Sequence, residues 1–533
     1  MRWYLRKIYI NFFVGLSSVP TNKKNYNKMK LLGLRLCEHD SNISYFDGSS
    51  LHYYKSERKY QVKHHAIHDL IKWRDEINDL WNLDYKEIDD IGIVIDPWRH
   101  NLPTDNENFF PAIEGYEHLP SDCKVYRIDH HYAHALSCFP IEKKKSNIQV
   151  VIDGFGDENI AWTVFKNDKI LKQGFVKENG SLGVAMCKFG EELGIKFSHD
   201  LDIAGKLMGL QSYGNIDHEF KKKIIDKYTL YDVSKFFHSA DDWVKHLNDD
   251  LLLKLKPLDW IRTIHDATSE ILIKFFEDIT DKNYNEYISY SGGVALNVIW
   301  NTALKSKFKN LVIPPHCNDE GLSLGAIEYL RIKNKLKPFN LDEFPFCQLD
   351  EKPKDNITDN TIKEIASLLS KGNIVATYQG NGEIGPRALG NRSILMDPTI
   401  AGAKEKVNSI KKRENYRPFG CSILKEFALD YFNVGFQNDH MLYIGEVKDP
   451  NLKSITHIDG TCRFQTIDKS NKYFYNLIKE FYKLSGCPIL LNTSFNINGK
   501  PILSSIEDAI KFYNESKIDY LVVGDKIYNK KNK

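Results

Sequence analysis

Three histidines stand within five positions in "DHHYAHALSCF" (129–139), close enough to share a reaction or an ion. On a helix, His130 and His134 stand one turn apart on one face, so both imidazoles can reach a single divalent ion while His131 faces elsewhere. Two imidazoles alone leave such an ion under-ligated. Asp319, on the loop "PPHCNDEGLSLGA" that enters a glycine-rich helix, supplies the carboxylate that completes a facial set with open positions. That set suits iron(II), and less decisively zinc or manganese. His316 on the same loop is an outside candidate, and a helix cap beside Asp129 is the competing reading of the histidines.

Two further loops have the composition of a reaction centre. In "DGFGDE", Asp153 and Asp157 can hold a metal or polarise a hydroxyl, and Gly154 and Gly156 let backbone approach a phosphate; a plain hairpin turn is the alternative. His39 beside Asp40 pairs an imidazole able to titrate near neutrality with a carboxylate able to orient it, the make-up of a general base or of an exposed turn. In "EYISYSGGVALNVIW" a strand, a turn at Gly292 and Gly293 and a helix could converge their amides on an anion, or serve only close packing.

The C-terminal part is richer in cations. "EIGPRALGNRSIL" carries Arg387 and Arg392, and "KKRENYRPFG" carries Lys411, Lys412, Arg413 and Arg417, all interleaved with Pro, Phe, Leu and Gly. Guanidinium groups set among apolar residues are buried, and burial demands an anionic partner, which points to a phosphate or carboxylate ligand. "HIDGTCRFQ" adds His457, Asp459, Thr461 and Arg463. "LLNTSFN" offers Asn492, Thr493, Ser494 and Asn496 at a strand end, where they can read a nucleotide or form a turn.

The elements that must position these residues follow from the hydropathy pattern. "KLLGLRL", "NISYF" and "LHYYKSE" read as three consecutive strands, and "NIQVVID", "NIAWTVF" and "KILKQGFV" repeat the arrangement near residue 148. Between them lie an amphipathic helix (Ile67, Leu70, Ile71, Ile77, Leu80, Trp81), the buried strand "IGIVID" and the histidine segment. Strand triplets alternating with helices, twice over, predict a duplicated α/β fold of the actin and sugar-kinase type. Residues 334–360 lose periodicity and mark a domain connection. A second α/β unit follows, with strands "NIVATY" and "PILLNTSF", helix "IEDAIKFYNES" and closing strand "YLVVGD".

With 533 residues, 42% of them hydrophobic, the chain is long enough for two or more full cores. A formal charge of only +2 gives no global reason to wrap nucleic acid or coat an acidic membrane. Nine cysteines without a CxxC pair suit a reducing compartment, and no apolar run approaches the roughly 20 residues of a membrane span, so the expected location is the cytoplasm. Residues 1–28 imitate a secretory signal, but read better as a disordered extension ahead of Met29.

Taken in order, "HDS", "SERKYQVKH", "HHYAHA", "DGFGD", "GKLMGL", "GGVALN", "NDEGLSLGA", "GEIGPRALGNRSIL", "KKRENYRPF", "HIDGTCRFQ" and "LLNTSFN" resemble the O-carbamoyltransferases of nodulation-factor and antibiotic-tailoring pathways (the NodU/CmcH family). The resemblance spans about 30–529. It implies a duplicated actin/sugar-kinase-like (ASKHA) domain over 29–345 followed by a YrdC-like domain over 346–533. The second domain would bind ATP and carbamoyl phosphate, with magnesium as an accompanying ion, and form carbamoyl-adenylate: Arg387, Arg392, Lys412, Arg413, Arg417 and Arg463 on the phosphates, Asn492 and Ser494 on the nucleotide. The first would hold iron(II) through His130, His134 and Asp319. There His39 deprotonates the acceptor, Lys63 contacts the carbamoyl group, and Asn297 with Gly292 and Gly293 contacts the adenylate. The sequence departs from the family at Glu38-His39, usually glycine-histidine, and at Ser56-Glu57, usually a double glutamate. The acceptor alcohol, whether sugar, natural product or nucleoside, carries no legible signature, and a homodimer is left open. A threonylcarbamoyl transferase acting on tRNA and a non-catalytic ATP-binding sensor are the rival readings.

Overall fold

The computed structural model describes residues 29–36, 39–95, 119, 123–139, 142, 145–176, 180–192, 194–195, 199–230, 255–339 and 343–530. The extension over 1–28 lies outside the described residues. The first sheet contains β1 (Leu31–Leu36), β2 (Asn42–Phe46), β3 (Leu51–Lys55), β4 (Asp90–Ile95) and β5 (Lys124–Arg127), in the order β3-β2-β1-β4-β5. The second contains β6 (Ile148–Ile152), β7 (Ile160–Lys166), β8 (Lys169–Phe175), β9 (Ile288–Ser291) and β10 (Leu311–Val312), in the order β8-β7-β6-β9-β10. In each, the first three strands are antiparallel, and the last two run parallel to the first. The strand triplet is therefore duplicated with its order and sense intact.

The third sheet has nine strands: β11 (Val375–Tyr378), β12 (Arg392–Met396), β13 (Gly420–Leu424), β14 (Phe432–Asn433), β15 (Ile444–Val447), β16 (Thr461–Ile467), β17 (Ile489–Ser494), β18 (Tyr520–Val523) and β19 (Lys526–Asn529). They run in the order β14-β15-β16-β13-β17-β12-β11-β18-β19. The fold is thus α/β with mixed sheets. No helix among the described residues is long and apolar enough to cross a membrane.

Local chemistry explains most element ends. Asp69 caps the amphipathic helix Leu70–Trp81 by accepting from the Lys72 amide, and Asn82 closes it in a left-handed conformation. Its buried face carries Trp73 and Glu76 besides Leu70 and Ile77, whereas Ile67 precedes it. The third strand is shorter than its pattern, because Ser56–Tyr60 turns into a helix whose Ser56, Glu57 and Arg58 are buried. The chain after Gly292 is a 3-10 turn over Gly293–Leu296, and the α-helix begins only at Val298. Among the described residues, 334–358 contain no helix or named strand, in keeping with a connection.

One helix, Leu322–Lys333, ties the first half together. It lies on β1 so closely that a Cβ on Gly33 would sit 2.3 Å from the Ser323 carbonyl. It also crosses the helix His130–Ser137, where a Cβ on Gly325 would sit 1.9 Å from the Ala133 carbonyl. No side chain fits there. Gly325→Ala should therefore force the two helices apart and cost about 1–3 kcal/mol, read as a lowered urea midpoint without a change in slope.

Candidate active site

His130–Ser137 forms a helix because Asp129 accepts from the Tyr132 amide at its start, and its apolar Ala133, Ala135 and Leu136 are buried. His130 and His134 project from it toward the ends of β6 and the "NDEG" loop. There the ring Nε2 atoms meet Asp153 at 3.0 and 3.3 Å and Asp319 at 3.5 and 3.3 Å. All four donor atoms lie within 4.8 Å of one another, and all four residues are buried. Asp153, expected from sequence as a catalytic loop residue, thus joins the metal set.

The electrostatics fit a divalent cation. Two buried carboxylates facing each other are costly unless a cation offsets them. Arg35, on β1, reaches Asp319 at 2.9 Å and supplies only part of that charge. Burial opposes the charged form of His130, yet the charge of Asp319 and hydrogen bonds that His130 donates to Asp153 and Asp319 lift it to about 10. Burial likewise opposes ionisation of Asp319, but His130 and Arg35 hold it well below the usual carboxylate range. Hydrogen bonds from His130 and His134 do the same for Asp153. An imidazolium proton here stands where a metal would sit, and the two-nitrogen, two-oxygen set suits iron(II), zinc or manganese.

The neighbouring histidines divide differently. His131 turns away and bonds Thr163 at 2.9 Å, and His316 bonds the Ser137 carbonyl at 3.0 Å. Asp157 pairs with Arg127 and takes no part in the cluster. His39 and His64 both present Nδ1 to Asp40, at 3.1 and 3.0 Å. A second acidic group, Asp40, Glu57 and Glu320, already encloses a cation: the buried Lys55 ammonium, at 3.4, 2.9 and 2.6 Å. Lys63 pairs with Asp202.

A cavity of about 990 Å³ is lined by His39, Asp40, Lys63, His130, Asp153 and Asp319, and equally by Arg387, Arg413, Arg417 and Arg463. Gly154, Lys411, Asn492 and Ser494 line it too. The Nε atoms of Arg387, Arg413 and Arg463 are buried without a hydrogen-bond partner. Burial pushes Arg387 down to about 10, and burial with Arg417 beside it pushes Arg413 to about 9. Burial, Arg387 and Arg413 hold Arg463 well below its ordinary value. Glu414 is shared between Arg417, at 3.5 Å, and Lys206, at 2.8 Å. Converging guanidinium groups with spare donors are an anion site.

Several residues expected here do other work. Arg392 is fully buried, pairs with Asp350 at 3.3 Å, stacks on Tyr378 and bonds the Gln379 and Gly380 carbonyls, so it stabilises the turn before β12. Lys412 is the left-handed cap of the helix Ala403–Lys411, and its neighbour Lys411 lines the cavity instead. Buried in phase with Ala403 and Val407, Lys411 donates to the Ser494 carbonyl and hydroxyl and to Asn496. A Cβ on Gly156 would meet His131 at 2.7 Å, and one on Gly292 the Ile152 carbonyl at 2.2 Å, so both glycines serve packing. The Gly293 amide donates to Asp153 at 2.8 Å, which orients the carboxylate instead of leaving the amide for an anion. Asn297 caps its helix and bonds His265 at 2.9 Å while still lining the cavity. Sequence reasoning missed Arg35, although a lone arginine inside the wholly buried "LLGLRL" signals a buried anionic partner.

Loss of a ligand should cost at least the roughly 10–100-fold in metal affinity that loss of a ligand's supporting partner costs elsewhere. Asp153→Asn and Asp319→Asn are each expected to fall by that much after dialysis, whereas His131→Gln retains full metal content by elemental analysis.

Similarity to known proteins agrees with this geometry. A family model described as carbamoyltransferase N-terminus matches residues 121–328, and one described as carbamoyltransferase C-terminus matches 366–530. The chain is 32% identical over 434 residues to an uncharacterized protein of Methanocaldococcus jannaschii, covering 75% of this chain and 82% of that one. It is 30% identical over 446 residues to the nodulation protein NolO of Bradyrhizobium diazoefficiens, covering 76% and 79%. It is 32% identical over 276 residues to the 3'-hydroxymethylcephem-O-carbamoyltransferase of Streptomyces clavuligerus, covering 49% and 53%. With both of its halves matched, the chain belongs to the carbamoyltransferase family and is a transferase enzyme.

Proposed function

We propose that the protein is an ATP-dependent O-carbamoyltransferase whose halves, meeting near residue 345, perform consecutive steps. The observation that carries this is one cavity lined both by His130, Asp153 and Asp319 and by Arg387, Arg413, Arg417 and Arg463. In this reading the first half is actin-like and the second YrdC-like. Carbamoyl phosphate supplies carbamate with release of phosphate to water, and a carbamate oxygen attacks the α-phosphorus of ATP as pyrophosphate leaves. Arg387, Arg413, Arg417, Arg463 and Lys411 offset the charge that builds on the phosphates, while Asn492 and Ser494 orient the nucleotide.

The resulting carbamoyl-adenylate then meets the acceptor alcohol within the same cavity. The acceptor oxygen bonds the carbamoyl carbon, the bond to the adenylate phosphate breaks and AMP leaves. His39, oriented by Asp40, takes the hydroxyl proton, and Lys63 steadies the carbamoyl oxygen. An iron(II), zinc or manganese ion held by His130, His134, Asp153 and Asp319 would supply Lewis acidity toward the adenylate phosphate, with no redox step. A sugar, natural-product or nucleoside alcohol is the acceptor class, and the work takes place in the cytoplasm.

Exchange of labelled pyrophosphate into ATP tests the first step. It should require carbamoyl phosphate. A requirement for threonine and bicarbonate would instead support tRNA modification, and no exchange under either condition would support a sensor. Arg417→Ala should abolish exchange at normal metal content, whereas His130→Ala should abolish transfer and leave exchange intact.

Burial, with Arg417 nearby, holds Lys63 down at about 8. The cation is present below that pH and lost above it. Transfer should therefore decline as pH rises through about 8 while exchange does not, and Lys63→Arg should move that alkaline limb upward.

A further inference from the structure

The segment "SERKYQVKH" contributes Lys63 to the reaction, but its most deeply buried cation, Arg58, has no part in the scheme above. Arg58 sits in the helical turn that follows β3 and is 2% exposed. Its Nη2 donates across to the other half, to the carbonyls of Glu383 and Gly385, each at 3.2 Å. Arg387 lies two residues further along that loop.

The loop has little freedom apart from this contact. The Glu383 carboxylate, fully buried, accepts from the amides of Leu389, Asn391 and Arg392 at 2.8, 2.9 and 3.0 Å, and so closes the loop on itself. Gly385, at φ +86°, presses on the Pro315 carbonyl, where a Cβ would sit 2.3 Å away. That carbonyl lies four residues before Asp319. The backbone around Arg58 is itself held by the second half: Ser504 donates to the Arg58 carbonyl at 2.7 Å, and Lys500 to that of Gln61 at 3.2 Å. Between these two anchored ends, Gly385 and Leu389, lies Arg387, which lines the cavity.

Resting on the reading that the arginine cluster binds the phosphates of ATP, we infer that Arg58 is a positioning residue for Arg387. A cation of the first half thereby sets the anion site of the second. The N–H groups of one guanidinium nitrogen hold two carbonyls that lie two residues apart, and so pin the backbone immediately before Arg387. The adenylate-forming step then depends on a residue outside the half that performs it.

A double-mutant cycle on pyrophosphate binding tests this without requiring turnover. Arg58→Ala and Arg387→Ala in the full chain should each weaken pyrophosphate binding, measured by calorimetry, by about tenfold or more. The double variant should bind no worse than Arg387→Ala alone, because Arg58 acts only through Arg387. Independent, additive losses would overturn the inference, since they are what a direct contact or a general loss of stability gives; so would wild-type affinity in Arg58→Ala. Where Arg58→Ala does not fold, Arg58→Lys takes its place in the same cycle and should show the same coupling. Because the readout is binding, absence of carbamoyl-phosphate-dependent exchange in the wild type would refute the proposed reaction and leave the role of Arg58 separately decided.

Discussion

Because Gly325 has no side chain, the backbone of the Leu322–Lys333 helix rests against the Ala133 carbonyl, and that contact sets His130 and His134 opposite Asp319. The remaining groups are placed by the ends of strands. Asp40 follows β1, Asp129 and the histidine helix follow β5, Asp153 follows β6 and Gly293 follows β9. In both copies of the strand triplet, the chemistry therefore hangs from the carboxyl ends of parallel strands, where open α/β sheets leave a crevice for ligands. Duplication has a consequence here: the two imidazoles that follow β5 of the first sheet can meet the two carboxylates that follow β6 and β10 of the second.

The charge arrangement explains why the molecule can hold groups that no stable core would choose. Asp153 and Asp319 are buried beside each other, and the half-buried Arg387, Arg413 and Arg463 each carry a buried Nε without a hydrogen-bond partner. A formal charge of +2 conceals this, because the excess of one sign at the metal set and of the other at the arginines cancels in the sum. In the proposed reading each excess is offset by something bound: a divalent cation in one case and phosphates in the other. Lys55 shows the contrasting solution. Its ammonium fills the space among Asp40, Glu57 and Glu320, so that cluster is complete as it stands.

How much of this was legible in the sequence depended on the range of the contact. The strands β1, β2, β6 and β7, the helix at His130 and the metal pair follow from spacing along one element, and spacing is visible. The arginine cluster was visible as cations interleaved with apolar residues. Arg392 belonged to the same pattern, yet it turned out to pair with Asp350 and stack on Tyr378, because its strand directs it away from the cavity. Lys411 and Lys412 differ only in helical phase: the in-phase residue is buried and the next one caps. Gly156 and Gly292 have the composition of a phosphate loop, but what excludes a side chain at each is another part of the protein, not a ligand. Asp153 was noticed, though its place in the metal set needed the Gly293 amide and two imidazoles brought together from three separate segments.

The contacts between halves complete the argument. Asn301 and Thr302, on the helix after the Gly292 turn, bond the Leu442 carbonyl and the Ile444 amide of the second half at 3.2 and 2.9 Å. Lys206 reaches Glu414 and Ser212 reaches Asp459, on the far side of the arginine loop. With the Arg58 fork these contacts surround the cavity on several sides, so its width is set by hydrogen bonds to backbone as well as by side-chain packing. A cavity whose walls come from both halves presents the His130, Asp153 and Asp319 cluster and the arginines to one space, and the separation between them is fixed by the same set of bonds.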